Sequence, residues 1–341
     1  MRILITGNRG YIGWILTQKL LDLGHTVYGV DLGLYDDYIL SYKNKGLKGC
    51  THFTKNYKDI AVDELYRMHV ETVIHLAAFS NDPMGELDKS KTYENNYIDT
   101  TEFIDVCKSA GVKHFVFSSS CSVYGMNDGD PMTEEDNTDP LTTYAKCKLL
   151  VEKYMINTAD ESFYCTAMRN STVFGYSPSM RMDLVVNNLC GHAHFNKKVN
   201  ILSDGTPWRP LIHVQDVANA FIHLMYFRIT HAFNMYHGNP LYKFYRCVNV
   251  GFDDNILTIK EIGIMVSKSF HVPIEIGDND PDSRSYIVDF NRFNEYTSMA
   301  RKFSVNDGID EIIVFLLDSG MNEDEFNNCA RIKQLDMEMF E

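Results

Sequence analysis

A tyrosine and a lysine four residues apart, Tyr144 and Lys148, follow closely on a run of serines, Ser118-Ser119-Ser120-Cys121-Ser122. On a helix such a pair shares one face. The Lys148 ammonium then sits beside the Tyr144 phenol and, as a neighbouring opposite charge, favours the phenolate. The serines continue a strand-like run, Lys113–Phe117. A serine hydroxyl at a strand end, with Ser120 preferred to Ser119, completes a site that can take a proton from an alcohol. Tyr-x-x-x-Lys alone recurs by chance on helix surfaces. Its pairing with the serines and with the opening of the chain points to alcohol–ketone chemistry.

That opening supplies a redox partner. Met1-Arg2-Ile3-Leu4-Ile5-Thr6 is apolar enough for a parallel strand buried on both faces. Gly7-Asn8-Arg9-Gly10-Tyr11-Ile12-Gly13 follows at once, and Tyr11–Leu23 has helical periodicity ending at Gly24. Glycines at Gly7, Gly10 and Gly13 let the backbone turn tightly and approach a pyrophosphate on the helix N-terminus, with Tyr11 and Ile12 opening that helix. A second strand, Thr26–Val30, ends in Asp31, where an acid binds the adenosine ribose hydroxyls and repels a 2′-phosphate. Leu32, Gly33 and Leu34 offer no arginine to welcome one, so NAD is expected rather than NADP. The competing reading of Asp31 is a turn acid at a strand end.

The 341 residues allow one large α/β domain or two lobes sharing a core. A net charge of −14 without a basic stripe argues against nucleic acid and anionic membranes as partners. No apolar run reaches membrane-spanning length, and Met1 leads directly into a strand, leaving no room for a signal peptide. The eight cysteines lack CxxC or Cys/His metal spacing and read as reduced thiols of a cytoplasmic protein, with no metal expected.

Strands are expected at 1–6, 26–31, 50–54, 71–76, 113–119 and 162–169, separated mostly by helices. That rhythm predicts a Rossmann-type doubly wound parallel sheet. After Arg169 it changes: Ser177–Arg181 and Ser203–Pro210 read as loops, Asp183–Ala193 and Val214–Met225 as helices. Tyr35–Lys48 is ambiguous and His231–Phe244 unassigned. The division expected is 1–168 for dinucleotide and catalytic residues, and 169–341 mainly for a smaller mixed α/β substrate lobe, some elements returning to the sheet.

The chain resembles the extended short-chain dehydrogenase/reductases acting on nucleotide-diphosphate sugars, over nearly its whole length. Besides the GxxGxxG loop and the tyrosine–lysine pair, Asp59-Ile60 resembles the pair that contacts adenine. His75-Leu76-Ala77-Ala78 resembles the strand end beside the cofactor, and Asn96 with Thr100 the NxxxT helix pattern. Arg169-Asn170-Ser171-Thr172-Val173-Phe174-Gly175 resembles the segment opening toward substrate. Trp208 to Asp216 resembles an arginine-bearing strand followed by a helix, and Pro281-Asp282-Ser283-Arg284 a second phosphate-binding arginine. Arginines suit a diphosphate because a guanidinium fork donates in pairs. Arg209 and Arg284 are therefore candidate grips, with Arg181, Asn187 or Asn188 and Thr172 as further substrate contacts. The ordinary alternative is arginines paired with nearby acids such as Asp204, Asp280 or Asp282. Helices 91–109 and 143–158 are expected, by analogy with the family, to form a homodimer interface.

The resemblance also restricts the reaction. Dehydratases of this group carry an Asp-Glu pair after the active-site hydroxyl, because losing water needs a further acid and base. Cys121 and Ser122 stand there instead, and Cys121 is expected to pack beneath the site as a small hydrophobe. What remains is oxidation at carbon 4 of the sugar, with a 4-epimerase expected ahead of a 4-dehydrogenase or 4-ketoreductase. A 4,6-dehydratase, a hydroxysteroid-type dehydrogenase (whose sterol needs no paired arginines) and a non-catalytic dinucleotide sensor (which lacks the tyrosine–lysine pair) rank lower.

Overall fold

The computed structural model describes residues 1–34, 47–80, 82–231, 243–278 and 284–326. The ambiguous Tyr35–Lys48 and unassigned His231–Phe244 stretches fall mostly outside these residues, as do Pro281, Asp282 and Ser283.

The apolar opening forms β1 (Arg2–Thr6), and α1 (Tyr11–Asp22) crosses over to β2 (Thr26–Asp31). Then come β3 (Thr51–Thr54), α2 (Val62–Met68), β4 (Thr72–His75), a helix completed by α3 (Thr100–Ser109), and β5 (His114–Ser120). A β6 strand (Met126–Met132), α4 (Thr143–Thr158) and β7 (Tyr164–Asn170) follow. The six expected strands are present within one or two residues. Side chains alternate across the sheet with the two-residue period of a strand. Ile3 and Ile5 join the core on one face with Leu16, Leu20 and Phe221, while Leu4, Val73, Phe115 and Phe117 join the other with Phe103 and Val151.

A seventh strand was not among those expected. After β8 (Thr172–Phe174), α5 (Val185–Phe195), β9 (Val199–Ile201), β10 (Trp208–His213) and α6 (Val214–His231), the chain returns as β11 (Tyr245–Val250). It pairs with the outer edge of β7, giving the order β11-β7-β5-β4-β1-β2-β3 with every pair parallel. Strand order reverses between β1 and β4, which is where open parallel sheets bind ligands, beyond the strands' carboxyl ends.

The stretch read as a loop to Pro210 is corrected at its end, because β10 begins at Trp208. Pro210 sits where the strand changes partner: Trp208–Pro210 pair antiparallel with β12 (Ile256–Thr258), and Leu211–His213 run parallel to β8. A proline without an amide hydrogen is tolerated at such a boundary. A separate core holds Val186, Leu189, Leu211, Ile262, Ile309 and Ile312, from α5, β10, α7 (Ile259–Phe270) and α8 (Val305–Asp318). Finally β14 (Ser285–Val288), named after β13 (Ile274–Ile276), pairs with β6 and brings Arg284 toward the carboxyl end of the sheet. Among the described residues no helix is long and apolar enough to cross a membrane.

Candidate active site

The glycine loop between β1 and α1 fits a dinucleotide. Gly7 has φ +72°, and a Cβ there would lie 2.9 Å from the Ala77 amide nitrogen. A Cβ at Gly13 would lie 2.0 Å from the Gly7 carbonyl oxygen, so the helix can pack this closely only without one. No side chain caps α1 at Gly10 and its first turn carries no acid, leaving its amides to an anion. The Asn8 amide is buried beneath the loop, and neither of its polar atoms has a partner. Tyr11 is buried; its hydroxyl donates to the Gly175 carbonyl at 2.6 Å, so its side chain ties the loop to the second half of the chain.

Asp31 makes the contacts of a turn acid and also faces the glycine loop. Its carboxylate accepts from the Gly33 amide at 2.9 Å, as a turn acid does, and from the Arg9 amide at 3.1 Å, which turns it to the mouth of the loop. Asp31→Arg exchanges repulsion for attraction toward a 2′-phosphate. Calorimetry should then show NADP binding gaining on NAD by about tenfold or more, ~1.4 kcal/mol. An unchanged preference would remove Asp31 from the adenosine site.

The other expected cofactor residues divide. Leu76, Ala77 and Ala78 follow β4, with the Ala77 amide on Thr6 Oγ1 at 3.3 Å. Asn96 is 2 % exposed, and its side chain accepts from the Phe79 amide at 2.8 Å and donates to the Phe79 carbonyl at 2.9 Å. It thus clamps the chain just past Ala78. It lies in a π-helical turn, Glu94–Asp99, inserted ahead of α3. Thr100 hydrogen-bonds His75, whose ring is held neutral, with a pKa pushed down to about 3 by burial and, secondarily, by Lys148. Asp59 ends a short 3₁₀ turn, exposed, with Ile60 buried beside it.

Ser120 ends β5 and Tyr144 and Lys148 share the inner face of α4. Ser120 Oγ accepts from Ser122 Oγ at 2.9 Å and lies close enough to the Tyr144 phenol to act on its pKa. Ser119 points beneath the sheet end instead, donating to Glu152, which is locked in a buried ion pair with Arg169 at 2.7 Å. Cys121 is fully buried, its thiol on the Arg169 carbonyl at 3.1 Å, and burial pushes its pKa far up.

One electrostatic expectation is corrected. Lys148 stands 4.6 Å from the Phe117 ring centroid and 5.4 Å from that of Tyr144, a cation over ring faces. Burial raises the Tyr144 pKa well above its ordinary value, and the Asp82 carboxylate adds to this. Arg181 and the Ser120 hydroxyl oppose it without overcoming it. Lys148, 3 % exposed, is itself pushed down to about 7 by burial, against the pull of Cys147 and Glu152. Desolvation outweighs the neighbouring charge, so the protein alone holds Tyr144 as a phenol.

The substrate candidates converge only in part. Arg209 is buried, with its face 5.6 Å from the Tyr286 ring, and donates to the carbonyls of Trp208 (2.8 Å) and Arg284. Arg284 pairs with Asp82 at 2.5 Å. Arg181 pairs with Asp183 at 2.5 Å and donates to Ser80 Oγ at 2.6 Å. Each arginine thus has local partners among the described residues, Asp183 for Arg181 and Asp82 for Arg284, while the expected acids Asp280 and Asp282 lie outside them. Thr172 sits on β8 opposite Leu211. Asn187 is corrected: it is fully buried, its amide engaged by the Gly175 amide, the Arg181 carbonyl and the Tyr11 hydroxyl, so it shapes the loop from behind. Sequence reasoning missed Asp82, Gly85 and Glu86, which meet the first turn of α4 at Tyr144 or its neighbours only through the fold.

Residues 3–235 match the NAD dependent epimerase/dehydratase family. Protein CapI of Staphylococcus aureus is 31 % identical over 240 residues, 66 % of this chain and 69 % of that one. The UDP-glucose 4-epimerase of Bacillus subtilis (strain 168) is 30 % identical over 243 residues, 65 % of this chain and 72 % of that one. The crystal structure of UDP-glucuronic acid 4-epimerase from Bacillus cereus, in complex with UDP-glucuronic acid and NAD, shares the fold. Its TM-score is 0.77 at 21 % identity, covering 92 % of this chain and 100 % of that one. The sheet order, the glycine loop and these matches together place the chain in the NAD dependent epimerase/dehydratase family, among the extended short-chain dehydrogenase/reductases.

Proposed function

We propose that the protein is a UDP-sugar 4-epimerase, acting through a 4-keto sugar formed and reduced again in one site. The observation that carries this reading is the hydroxyl pair, Ser120 beside Tyr144, backed by the buried Lys148, with Cys121 and Ser122 where an elimination needs acids. The choice of UDP rests on the relatives, among them the B. subtilis UDP-glucose 4-epimerase.

When bound, NAD would supply a reversible hydride acceptor and the positive charge of its nicotinamide. Tyr144 then takes the proton from the 4-hydroxyl and later returns it. Ser120 hydrogen-bonds the reacting oxygen in both its alcohol and ketone forms. Lys148 would hold the nicotinamide ribose and, while charged, favour the phenolate. Beneath them, Cys121 faces the Arg169 carbonyl and Ser122 faces Ser120, so neither is placed as a general acid for losing water. Asp82 is a carboxylate near the phenol, already engaged by Arg284 and Thr142.

Arg284 reaches the site from the far half of the chain, and Arg209 holds its carbonyl. In this reading Arg284 grips the diphosphate and Arg209 sets its position. Arg284→Ala should weaken UDP-sugar binding by roughly 1.5–3 kcal/mol, as loss of a charge-assisted contact does, with NAD binding unchanged by calorimetry. Unaltered UDP-sugar affinity would take the diphosphate away from this arginine.

The deciding experiment incubates the protein and NAD with UDP-glucose, UDP-galactose, UDP-glucuronic acid and their N-acetylhexosamine counterparts, and follows product by mass spectrometry and NMR. Unchanged mass with inversion at carbon 4 is the expected result. Loss of two hydrogens with accumulation of NADH makes it a 4-dehydrogenase. A product lighter by one water overturns the argument from Cys121 and Ser122 and turns attention to Asp82.

A further inference from the structure

Gly85 lies against the root of the candidate base. A Cβ built on Gly85 would stand 2.9 Å from Tyr144 Cβ and 3.4 Å from the Tyr144 amide nitrogen. The residues around it hold the first turn of α4 from the same side. Glu86 accepts from the Thr143 amide at 2.7 Å and is steadied by Lys89 at 2.9 Å. Asp82 accepts from the Thr142 hydroxyl, whose oxygen in turn accepts from the Ala145 amide at 3.2 Å as the cap of the helix. The Gly85 carbonyl accepts from Thr92 Oγ1 at 2.9 Å, which ties the segment to the body of the protein. Asp82 also holds Arg284, 202 residues away in the chain.

We propose that Asp82–Glu86 is a positioning strap that seats Tyr144 and links its place to that of Arg284. It rests on Tyr144 being the base, as argued above. Every amide donor at the start of a helix lacks an intrahelical acceptor, and here the strap supplies one to Thr143, whose neighbour is Tyr144. The pitch of the first turn, and with it the phenol, follows the strap. Gly85 is the residue that permits such close approach. Its backbone is not in the left-handed region, so alanine is admissible there on backbone grounds. The added methyl meets the rigid base of the tyrosine side chain, and the ring must move with it. A displacement of this kind, far smaller than a loss of fold, is enough to cost on the order of 100-fold in a well-oriented reaction.

The test compares Gly85→Ala, Glu86→Ala and Glu86→Gln in the full-length protein. Gly85→Ala should lower kcat by about 10- to 100-fold, with KM changed less than threefold and bound NAD retained. Glu86→Ala should lower kcat less, and speed hydrogen exchange of the Thr143 amide. Glu86→Gln, which keeps an acceptor oxygen, should restore both. In a Tyr144→Phe background Gly85→Ala should add nothing further, because the strap acts through the phenol. A near-normal kcat for Gly85→Ala, or the same fold-loss with and without the phenol, would overturn the strap. If the wild type turns over none of the UDP-sugars, the epimerase reading fails. The amide-exchange pair, Glu86→Ala against Glu86→Gln, then still decides whether the strap holds the helix, with equal exchange in both counting against it.

Discussion

Tyr144→Phe should turn over UDP-sugar roughly 100 to 10,000 times more slowly than the native protein, the range over which a positioned acid–base group acts. Phenylalanine keeps the Cβ that lies against Gly85 and the ring beneath the Lys148 ammonium, and removes only the hydroxyl. Substrate and NAD affinities should therefore change by less than a few-fold, so the loss falls on kcat. The pH dependence carries a second expectation. Burial and Asp82 push the Tyr144 pKa up, with Arg181 and Ser120 opposing, so the protein without NAD holds a neutral phenol. A shift of the tyrosine ultraviolet spectrum toward phenolate should appear at lower pH with NAD bound than without it, and should be absent in Tyr144→Phe. Near-native turnover by that variant would exclude Tyr144 as the base.

Parallel strands were legible because burial on both faces writes them as apolar runs. Ile3-Leu4-Ile5 and Thr72-Val73-Ile74-His75 are buried throughout. Tyr245–Val250 escaped notice because Arg246, Cys247 and Asn249 interrupt its pattern, and because its partner β7 lies far back in the chain. Met126–Met132 contains Gly129 and Pro131, residues that argue against a strand, and pairs with β14 from the distant second half. The spacing of Tyr144 and Lys148 was legible because helix geometry is local. The sign of the tyrosine shift was not, since neighbouring charge can be read from spacing while burial belongs to the folded state. Asn187 shows the same limit, its amide suiting a phosphate or three backbone and hydroxyl partners equally well until the loop around Gly175 is placed. Asp82, Gly85 and Glu86 carry no signal at all in a short window, because they meet α4 only across the fold.

Lys148→Met should make the protein a poorer enzyme and a more stable one. The lysine is 3 % exposed, and burial pushes its pKa down from 10.5 to about 7, Cys147 and Glu152 pulling the other way. Folding thus strips the ammonium of water and recovers only part of that loss from rings and a carboxylate. The unfolded chain keeps an ordinary lysine, with a pKa of about 10.4. Between these two values the unfolded state binds a proton that the folded state does not, so this residue's contribution to stability rises with pH from about 7 to about 10. Below pH 7 both states are protonated and the penalty on folding is complete. Methionine, similar in length and uncharged, removes the penalty, so the variant should exceed the wild type by roughly 1–4 kcal/mol near pH 6, as replacement of buried charge by apolar side chains can. The gap should close as pH approaches 10. Turnover should fall at least tenfold across this range, because the variant offers the nicotinamide ribose no donor, and below pH 7 it also offers the phenolate no cation. Thermal unfolding of both proteins across pH 6 to 10, run beside kcat, reads both effects. A variant that is less stable at pH 6, or a stability gap that does not narrow with rising pH, would show that the ammonium is stabilised in its pocket rather than strained there. A variant that keeps its turnover would remove Lys148 from the reaction.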